Sequence, residues 1–299
     1  MTTVGLIGLG AMGSGMAASL RRAGHAVHVF DVRREVAASF AQDGGTAHDS
    51  LASLGAACDV VVSVVVNAAQ TESVLFGDDT TPGCAASMKP GSVFVMCSTV
   101  DPNWSVALES RLEAMGLRYV DAPISGGAAK AASGQMTMMT AGKPKAYAVA
   151  EPFLNAMAAK VYKLGDSAGA GSKVKIINQL LAGVHIAAAA EAMALGLREG
   201  VDAAALYEVI THSAGNSWMF ENRMAHVLAA DYTPLSAVDI FVKDLGIVLD
   251  VARASKFPLP LSSTAHQMFM QASTAGFAKE DDSAVIKIFP GIELPKGKA

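Results

Sequence analysis

Lys175, Asn178 and Gln179 are the residues of this chain whose types and spacing point most directly to chemistry. Separations of three and four residues place the three side chains on one face of a predicted helix. A lysine that is partly withdrawn from water near a positive charge has a lowered pKa, so it can exchange a proton with an alcohol or carbonyl oxygen. The pattern predicts a general acid or base beside two amides. The alternative is a solvated lysine of the kind that most helices carry.

A second candidate group, Ser125, Gly126 and Gly127, follows the predicted strand Arg118–Asp121. A serine before two glycines exposes a hydroxyl and several backbone N–H groups without bulk, which suits the binding of a carboxylate. An ordinary turn is the alternative reading.

Two further polar groups are candidates for chemistry. Lys243 and Asp244, on a later helix, either reach a ligand or form a surface ion pair of little energetic value. The seven histidines have no metal-ligand spacing, and we predict no metal site.

The N-terminal segment Val4–Gly13 predicts a strand, a tight turn and a helix that bind a dinucleotide. The segment contains the pattern G-x-G-x-x-G. Gly8 allows the turn, Gly10 lets a pyrophosphate approach the backbone, and Gly13 lets the helix pack on the strand. The phosphates would then lie at a helix N-terminus, where free N–H groups attract negative charge.

Asp31 indicates which dinucleotide binds. It follows a second apolar strand, Ala26–Phe30, at the position where an acid accepts hydrogen bonds from the adenosine ribose hydroxyls and repels a 2′-phosphate. Arg33 and Arg34 come directly after it and either hold such a phosphate or are solvated residues of the next helix. With the acid present, we favour NAD over NADP.

The elements that position these residues alternate between helix and strand up to residue 165. Continuous β-branched runs are typical of strands buried on both faces of a parallel sheet. The later predicted strands are Asp59–Val65, Ser92–Met96, Arg118–Asp121, Met136–Ala141 and Ala159–Leu164. The alternation predicts the α/β class and a doubly wound Rossmann sheet with right-handed crossovers.

After residue 165 the sequence predicts only helices. Ser172–Glu199 is one long helix, and Gly200 ends it. We therefore predict an NAD-binding Rossmann domain at residues 1–165, joined by this interdomain helix to an all-helical domain at residues 166–299 for substrate binding and oligomerisation. Ligands bind at the carboxyl ends of parallel strands, so the expected site is a cleft facing the helical domain.

Composition narrows the classes of partner. The chain has 299 residues, of which 52% are hydrophobic and 17% charged, with a formal net charge of −4. Mild acidity argues against a nucleic acid or an anionic membrane as partner. No basic region precedes the apolar N-terminus, no apolar run is long enough to span a bilayer, and three cysteines suit a reducing compartment. These features predict a cytoplasmic protein, and the long alanine-rich helix suggests a homodimer or homotetramer.

Four motifs in a fixed order resemble those of the β-hydroxyacid dehydrogenase family, which includes 3-hydroxyisobutyrate dehydrogenase. They are Gly8–Gly13 with Met16 and Ala17, Asp121–Gly127, Gly169–Gly171 leading to Lys175, and Lys243–Leu245. The resemblance covers nearly the whole chain. It implies an NAD-dependent dehydrogenase that acts on the CH–OH group of a small hydroxy acid.

The resemblance also implies a role for each motif. The glycine loop would hold the substrate carboxylate, the helical lysine would be the general acid or base, the two amides would bind substrate, and Lys243 would lie by the nicotinamide. Further cofactor contacts are expected from Ala11, Met12, Val65 and Thr99, the last within a Ser98–Thr99 pair.

The substrate is open within the family. The family has two asparagines after the lysine, whereas here Gln179 follows Asn178, so the second amide is longer by one methylene. Segments such as Asn216–Arg223 resemble a subgroup that oxidises a four-carbon polyhydroxy acid at C2. Tartronate semialdehyde, 3-hydroxyisobutyrate and succinic semialdehyde are alternatives. A non-catalytic nucleotide-binding module is a further alternative, against which the presence of Lys175 argues.

Overall fold

The structure, a computed structural model, describes residues 2–78 and 80–297. Two compact units divide the chain, one up to Lys175 and the other from Ile176 onward. The division falls inside a long helix, whose first turn is hydrogen-bonded to a strand of the first unit.

The first unit is built on a parallel sheet. Its strands are β1 (Val4–Ile7), β2 (Val27–Phe30), β3 (Thr46–Ala47), β4 (Val60–Ser63), β5 (Val93–Met96) and β6 (Arg118–Asp121). They lie in the order β3-β2-β1-β4-β5-β6, and every neighbouring pair is parallel. The predicted doubly wound topology is confirmed. The strand order reverses between β1 and β4, which is where such sheets bind ligands.

Apolar layers cover both faces of this sheet. The helices of the first unit are α1 (Gly13–Arg22), α2 (Arg34–Gln42), α3 (Leu51–Ala57), α4 (Ala68–Phe76), α5 (Pro102–Ala114), α6 (Gly127–Ser133), α7 (Pro144–Met157) and the start of α8 (Ala170–Arg198), with a 3-10 turn at Ala85–Ser87. Val60 and Val62 of β4 belong to one apolar cluster and Val61 to another. All three are fully buried, as the continuous β-branched run predicts.

The structure differs from the predicted sheet at its last two strands. With a short strand that the sequence analysis does not predict, they form a separate three-stranded sheet of β7 (Ile124–Ser125), β8 (Met136–Thr140) and β9 (Ala158–Lys163). β7 and β8 are antiparallel, whereas β8 and β9 are parallel. Only two residues separate β6 from β7, too few for a crossover to a parallel neighbour.

The second unit is helical, as predicted. After α8 come α9 (Ala203–Thr211), α10 (Trp218–Ala229), α11 (Val238–Ala254), α12 (Pro260–Ala272), a π-helical segment at Ser273–Phe277 and a 3-10 segment at Asp282–Ile288. Phe241 of α11 and Phe269 of α12 stack with ring centroids 5.1 Å apart. They share one apolar core with Ile186 and Met193 of α8.

By length and composition alone, α8 could cross a membrane. This differs from the expectation that no segment is long and apolar enough. The buried residues Ile186, Ala190 and Met193 of α8 pack in the core of the second unit. That arrangement is the one expected of a core helix.

Candidate active site

The glycine-rich turn joins β1 to α1 in the form that the sequence predicts. Gly8 has a φ of +93°, and a Cβ atom there would lie 2.5 Å from the carbonyl oxygen of Val64. A Cβ atom on Gly13 would lie 1.8 Å from the carbonyl oxygen of Gly8. A Cβ atom on Gly10, by contrast, would meet nothing within 4 Å. Gly13 therefore allows the helix to approach the strand, whereas Gly10 leaves open space against the backbone.

The N-terminus of α1 begins beside this open space. Met12 is the residue that precedes the helix, and its side chain makes no capping hydrogen bond. Ala11 is exposed. The first N–H groups of a helix have no partner within the helix, and the helix dipole favours an anion there. The turn therefore fits the pyrophosphate of a dinucleotide.

Asp31 follows β2 and is tied to the glycine-rich turn. Its carboxylate accepts hydrogen bonds from the backbone N–H of Leu9 at 2.7 Å and from the backbone N–H of Arg33 at 2.8 Å. The Arg33 guanidinium also donates from Nε at 3.2 Å. Burial acts to raise the pKa of Asp31, but the hydrogen bonds from Arg33 and Leu9 outweigh it and hold the pKa below its usual range. Asp31 is therefore ionised beside the turn, and Arg33 pairs with it.

The predicted cofactor contacts Val65 and Thr99 follow the neighbouring strands β4 and β5. Ser98 donates a hydrogen bond of 2.7 Å from its Oγ to the carbonyl oxygen of Val65. A Cβ atom on Gly8 would lie 3.4 Å from Cγ1 of Val65. Thr99, the residue after Ser98, is half-buried. The carboxyl ends of β1, β4 and β5 thus meet at the glycine-rich turn.

The predicted carboxylate site, Ser125, Gly126 and Gly127, lies between β7 and α6. The two glycines have φ values of +138° and +75°. A Cβ atom on Gly127 would meet nothing within 4 Å, whereas one on Gly126 would lie 3.0 Å from Cβ of Lys130. The open surface of this loop is therefore at Gly127 and the half-buried Ser125.

The helix that follows this loop packs on the dinucleotide-binding helix. Ser19 of α1 donates a hydrogen bond of 3.0 Å from its Oγ to the carbonyl oxygen of Ala131 in α6. A Cβ atom on Gly15 of α1 would lie 2.6 Å from the backbone nitrogen of Ala132. The close contact packs α6, which follows the predicted carboxylate site, against α1 within the first unit.

Asp121, at the end of β6, fixes the start of α8. Its carboxylate accepts hydrogen bonds from the backbone N–H groups of Gly169 and Ser172, both at 2.9 Å, and from the Ser172 Oγ at 2.7 Å. Burial raises the pKa of Asp121, although these hydrogen bonds act to lower it. A carboxyl group at this end of the helix also complements its dipole. Asp121 therefore sets the position of the first turn of α8.

Lys175 lies on α8 one turn beyond this anchored start, and it is the last residue of the first unit. Only 7% of the residue is exposed. Lysines are almost never fully buried without a partner, since burial disfavours the charged form. The burial sets Lys175 apart from the solvated lysine that was the alternative interpretation.

Asn178, Gln179, Asp244 and Lys243 form a connected polar group in the second unit. Gln179 donates a hydrogen bond of 2.5 Å from Nε2 to Oδ2 of Asp244, and Asn178 donates one of 3.0 Å from Nδ2 to Oε1 of Gln179. Nζ of Lys243 lies 2.5 Å from Oδ1 of Asp244. Asp244 and Gln179 are buried, so the pair of Lys243 and Asp244 is not the surface ion pair that was the alternative.

Residues 2–78 and 80–297 contain no cluster of metal-ligand side chains. No three histidine, cysteine, aspartate or glutamate side chains there come together in a group that could hold a metal ion.

Similarity to known proteins also divides the chain into two parts. Residues 3–165 match the family described as the NAD binding domain of 6-phosphogluconate dehydrogenase, and residues 169–289 match the one described as NAD-binding of NADP-dependent 3-hydroxyisobutyrate dehydrogenase. An L-threonate dehydrogenase of Cupriavidus necator is 68% identical over 296 residues, which cover 99% of this chain and 98% of the relative. The chain belongs to the β-hydroxyacid dehydrogenase family.

Other relatives of this β-hydroxyacid dehydrogenase agree with that assignment. An L-threonate dehydrogenase of Pectobacterium atrosepticum is 52% identical and covers 99% of this chain and 96% of the relative. The crystal structure of a 3-hydroxyisobutyrate dehydrogenase from Salmonella typhimurium has a TM-score of 0.92 at 52% identity, covering 97% of this chain and 100% of that one. The dehydrogenase is thus an NAD-dependent oxidoreductase that acts on a small hydroxy acid, as the motifs predict.

Three features of the dehydrogenase are not predicted by its sequence. Asp121 belongs to one of the predicted motifs, but its hydrogen bonds to the start of α8 join residues 48 and 51 positions apart. Arg33, a candidate for binding a 2′-phosphate, pairs with Asp31. Asp244 contacts Gln179 on another helix as well as its neighbour Lys243. The Gly169–Gly171 segment was a signal of the first feature, because a Cβ atom on Gly171 would lie 2.9 Å from the carbonyl oxygen of Asp121.

Proposed function

We propose that this dehydrogenase oxidises L-threonate at C2 to 2-dehydro-L-erythronate, with Lys175 as the general base. The observation that carries the proposal is a buried lysine on α8, followed at three and four residues by two amides. The names of the relatives from Cupriavidus and Pectobacterium support the substrate. Oxidation at C2 also gives a stable 2-keto acid, whereas oxidation at C3 would give a β-keto acid prone to decarboxylation.

Each part of the proposed site has one task in this reaction. NAD, when bound, accepts the hydride of the carbinol carbon. Nζ of Lys175 takes the proton of the hydroxyl group as the carbonyl forms. The Ser125 hydroxyl and the N–H groups of Gly126 and Gly127 bind the carboxylate. The amide of Asn178, which donates a hydrogen bond to Gln179, holds a hydroxyl group of the substrate, and Gln179 serves substrate binding through this contact.

The cofactor end is assigned to residues at the glycine-rich turn and the neighbouring strand ends, and to Lys243 of the second unit. Asp31 would accept hydrogen bonds from the ribose of the bound cofactor, and Lys243 would lie by its nicotinamide. The turn and the neighbouring strand ends supply the remaining contacts through Gly8, Gly10, Ala11, Met12, Gly13, Val65 and Thr99. The open space at Gly10 and the ionised carboxylate beside it support this assignment.

Oxidation of 3-hydroxyisobutyrate is the second candidate function. The Salmonella structure that carries this name is as similar in sequence as the Pectobacterium L-threonate dehydrogenase. The two substrates differ in chemistry, since 3-hydroxyisobutyrate carries a methyl group and L-threonate carries additional hydroxyls. A site with two amides beside the lysine favours the polyhydroxy acid, because buried amides that lose their hydrogen bonds are costly.

A panel of hydroxy acids tests the proposed function. NADH formation is measured at alkaline pH with L-threonate, D-threonate, L-glycerate, 3-hydroxyisobutyrate and 4-hydroxybutyrate, and the keto and aldehyde partners are tested with NADH. We expect L-threonate to have the highest kcat/KM. A higher kcat/KM for 3-hydroxyisobutyrate, or no NADH from any four-carbon aldonic acid, contradicts the proposal.

We predict that NAD is preferred over NADP by at least about ten-fold in kcat/KM, which corresponds to about 1.4 kcal/mol. The ionised Asp31 would repel a 2′-phosphate, and its own partner Arg33 is already paired with it. Because the pKa of Asp31 is held below its usual range, the preference should persist into mildly acidic pH. Asp31→Ser should reduce the preference for NAD over NADP. Equal use of both cofactors by the parent enzyme would show that Arg33 and Arg34 govern the choice.

We predict that Ser125→Ala raises KM for the acid about ten-fold and changes kcat little, because it removes a donor to a bound carboxylate. The methyl ester of a good substrate should be a poor substrate of the parent enzyme, and the KM increase should be smaller for the ester than for the acid. Gly127→Ala should have the stronger effect, since its side chain would enter the open space of the loop at a positive φ. Equal turnover of ester and acid would exclude a carboxylate site.

We also propose that the enzyme is a homodimer or homotetramer. The exposed residues Val174, Ile177, Leu181 and Leu195 recur along one side of α8. Light scattering should give a mass of two or four chains, and Ile177→Lys with Leu181→Lys should lower it.

A cytoplasmic location is the final part of the proposal. The three cysteines Cys58, Cys84 and Cys97 are free thiols and buried, which suits a reducing compartment.

A further inference from the structure

The polar group that links α8 to α11 has a fixed direction of hydrogen bonding. Asp244 is 1% exposed, and its carboxylate lies 2.5 Å from the ammonium group of Lys243. An ionised carboxylate can only accept hydrogen bonds. Gln179, 2.5 Å away, must therefore turn its NH₂ group towards Asp244.

The orientation of Gln179 in turn determines that of Asn178. With its NH₂ group at Asp244, Gln179 presents its carbonyl oxygen at the other end of the amide, and Nδ2 of Asn178 donates to this oxygen at 3.0 Å. The amide of Asn178 is thereby oriented with its nitrogen towards Gln179. Its carbonyl oxygen, Oδ1, is the atom that remains to accept a hydrogen bond from a ligand.

Asn178 lies on α8, three residues after Lys175, the proposed general base. Side chains at this separation are neighbours on a helix surface. Asn178 is half-buried, whereas Gln179 behind it is 8% exposed. A carbonyl oxygen beside Lys175 suits a hydroxyl group of a polyhydroxy acid, and it does not suit a methyl group.

We infer that Asp244 is a positioning residue for substrate selection: acting through Gln179, it orients the Asn178 amide so that Oδ1 accepts a hydrogen bond from a hydroxyl group of the substrate. The inference rests on the proposed oxidation of a polyhydroxy acid. Without the carboxylate, both amides can turn over, and Asn178 then presents N–H groups in place of its oxygen in part of the molecules.

An exchange of the carboxylate at position 244 with the amide at position 179 tests this orienting role directly. In Asp244→Asn, the new amide can donate as well as accept, so the orientation of Gln179 is no longer fixed. In the double variant Asp244→Asn with Gln179→Glu, the new carboxylate at position 179 accepts from both neighbours. The Nδ2 group of Asn178 must then donate again, as in the parent enzyme.

We expect Asp244→Asn to lower kcat/KM for L-threonate by about 10- to 100-fold, mainly through KM, as for one lost hydrogen bond to a buried site. Gln179→Glu alone should be at least as impaired, since it brings two carboxylates together. The double variant should recover to within about five-fold of the parent enzyme, an order-of-magnitude expectation for a restored hydrogen bond. Thermal unfolding and NADH affinity are measured for all three variants.

The double variant lacks the carboxylate at Asp244 as well, so its recovery cannot come from the ion pair with Lys243. A folded double variant no more active than Asp244→Asn overturns the inference, and so does an Asp244→Asn enzyme with parental kcat/KM. If a single variant fails to fold, the activity of the double variant relative to the parent enzyme tests the inference by itself. Failure of the proposed function is distinguishable from failure of this inference, because in the first case the parent enzyme itself does not oxidise L-threonate. The exchange is therefore measured with the acid of the panel that has the highest kcat/KM.

Discussion

Lys175→Ala should lower kcat by about 10²- to 10⁴-fold, the usual cost of removing a positioned general acid or base. The lysine is buried on α8 one turn beyond the helix start that Asp121 holds. Lys175→Met should lose as much activity, although it keeps a long apolar side chain at this buried position. Steady-state NADH formation gives kcat, and fluorescence titration should show that both variants still bind NADH.

A matched control lies two residues earlier on the same helix. Lys173 is exposed, so Lys173→Ala should retain parental kcat and KM. A folded Lys175→Met enzyme that keeps most of its kcat would remove Lys175 from the mechanism.

Gly13→Ala should destabilise the fold, whereas Gly10→Ala should leave it intact and weaken NADH binding. The added methyl at Gly13 would lie 1.8 Å from the carbonyl oxygen of Gly8. The carbonyl group is backbone and cannot move aside cheaply, so we expect a loss of about 3 kcal/mol or more in the free energy of unfolding. At Gly10 the methyl meets nothing within 4 Å, so unfolding should change by no more than about 0.5 kcal/mol.

The two glycine variants separate packing from binding. In Gly10→Ala the methyl occupies the space assigned to the pyrophosphate, so the Kd for NADH should rise about ten-fold or more, since contact with the backbone N–H groups is lost. Denaturant unfolding and NADH titration measure the two effects. Unchanged NADH affinity in Gly10→Ala would place the pyrophosphate elsewhere.

Local patterns were sufficient to predict the nucleotide-binding half of the fold. The β-branched run at Val60–Ser63 specifies a strand buried on both faces, and Gly8 and Gly13 specify a turn in which a side chain at either position would clash. Such features depend on neighbours within a few positions. Asp31 was found for the same reason, because it ends a strand at a fixed distance from the turn.

Contacts between distant segments could not be predicted. The sequence around Gly127–Ser133 has no apolar period, and this helix is placed by its packing on Gly15 and Ser19 of α1. The sequence predicts no strand at Ile124–Ser125, because the antiparallel partner Met136–Thr140 lies beyond that helix. The hydrogen bond between Gln179 and Asp244 joins residues 65 positions apart, and no local rule indicates it.

The transfer of deuterium from C2 of L-threonate tests the central proposal most directly. The enzyme is given NAD and L-threonate labelled with deuterium at C2 or, as the matched control, at C3. The NADH produced is analysed by mass spectrometry. We expect deuterium in the NADH only from the C2-labelled acid, together with 2-dehydro-L-erythronate as the product. Unlabelled NADH from the C2-labelled acid, or labelled NADH from the C3-labelled acid, would contradict oxidation at C2 and the function proposed for this site.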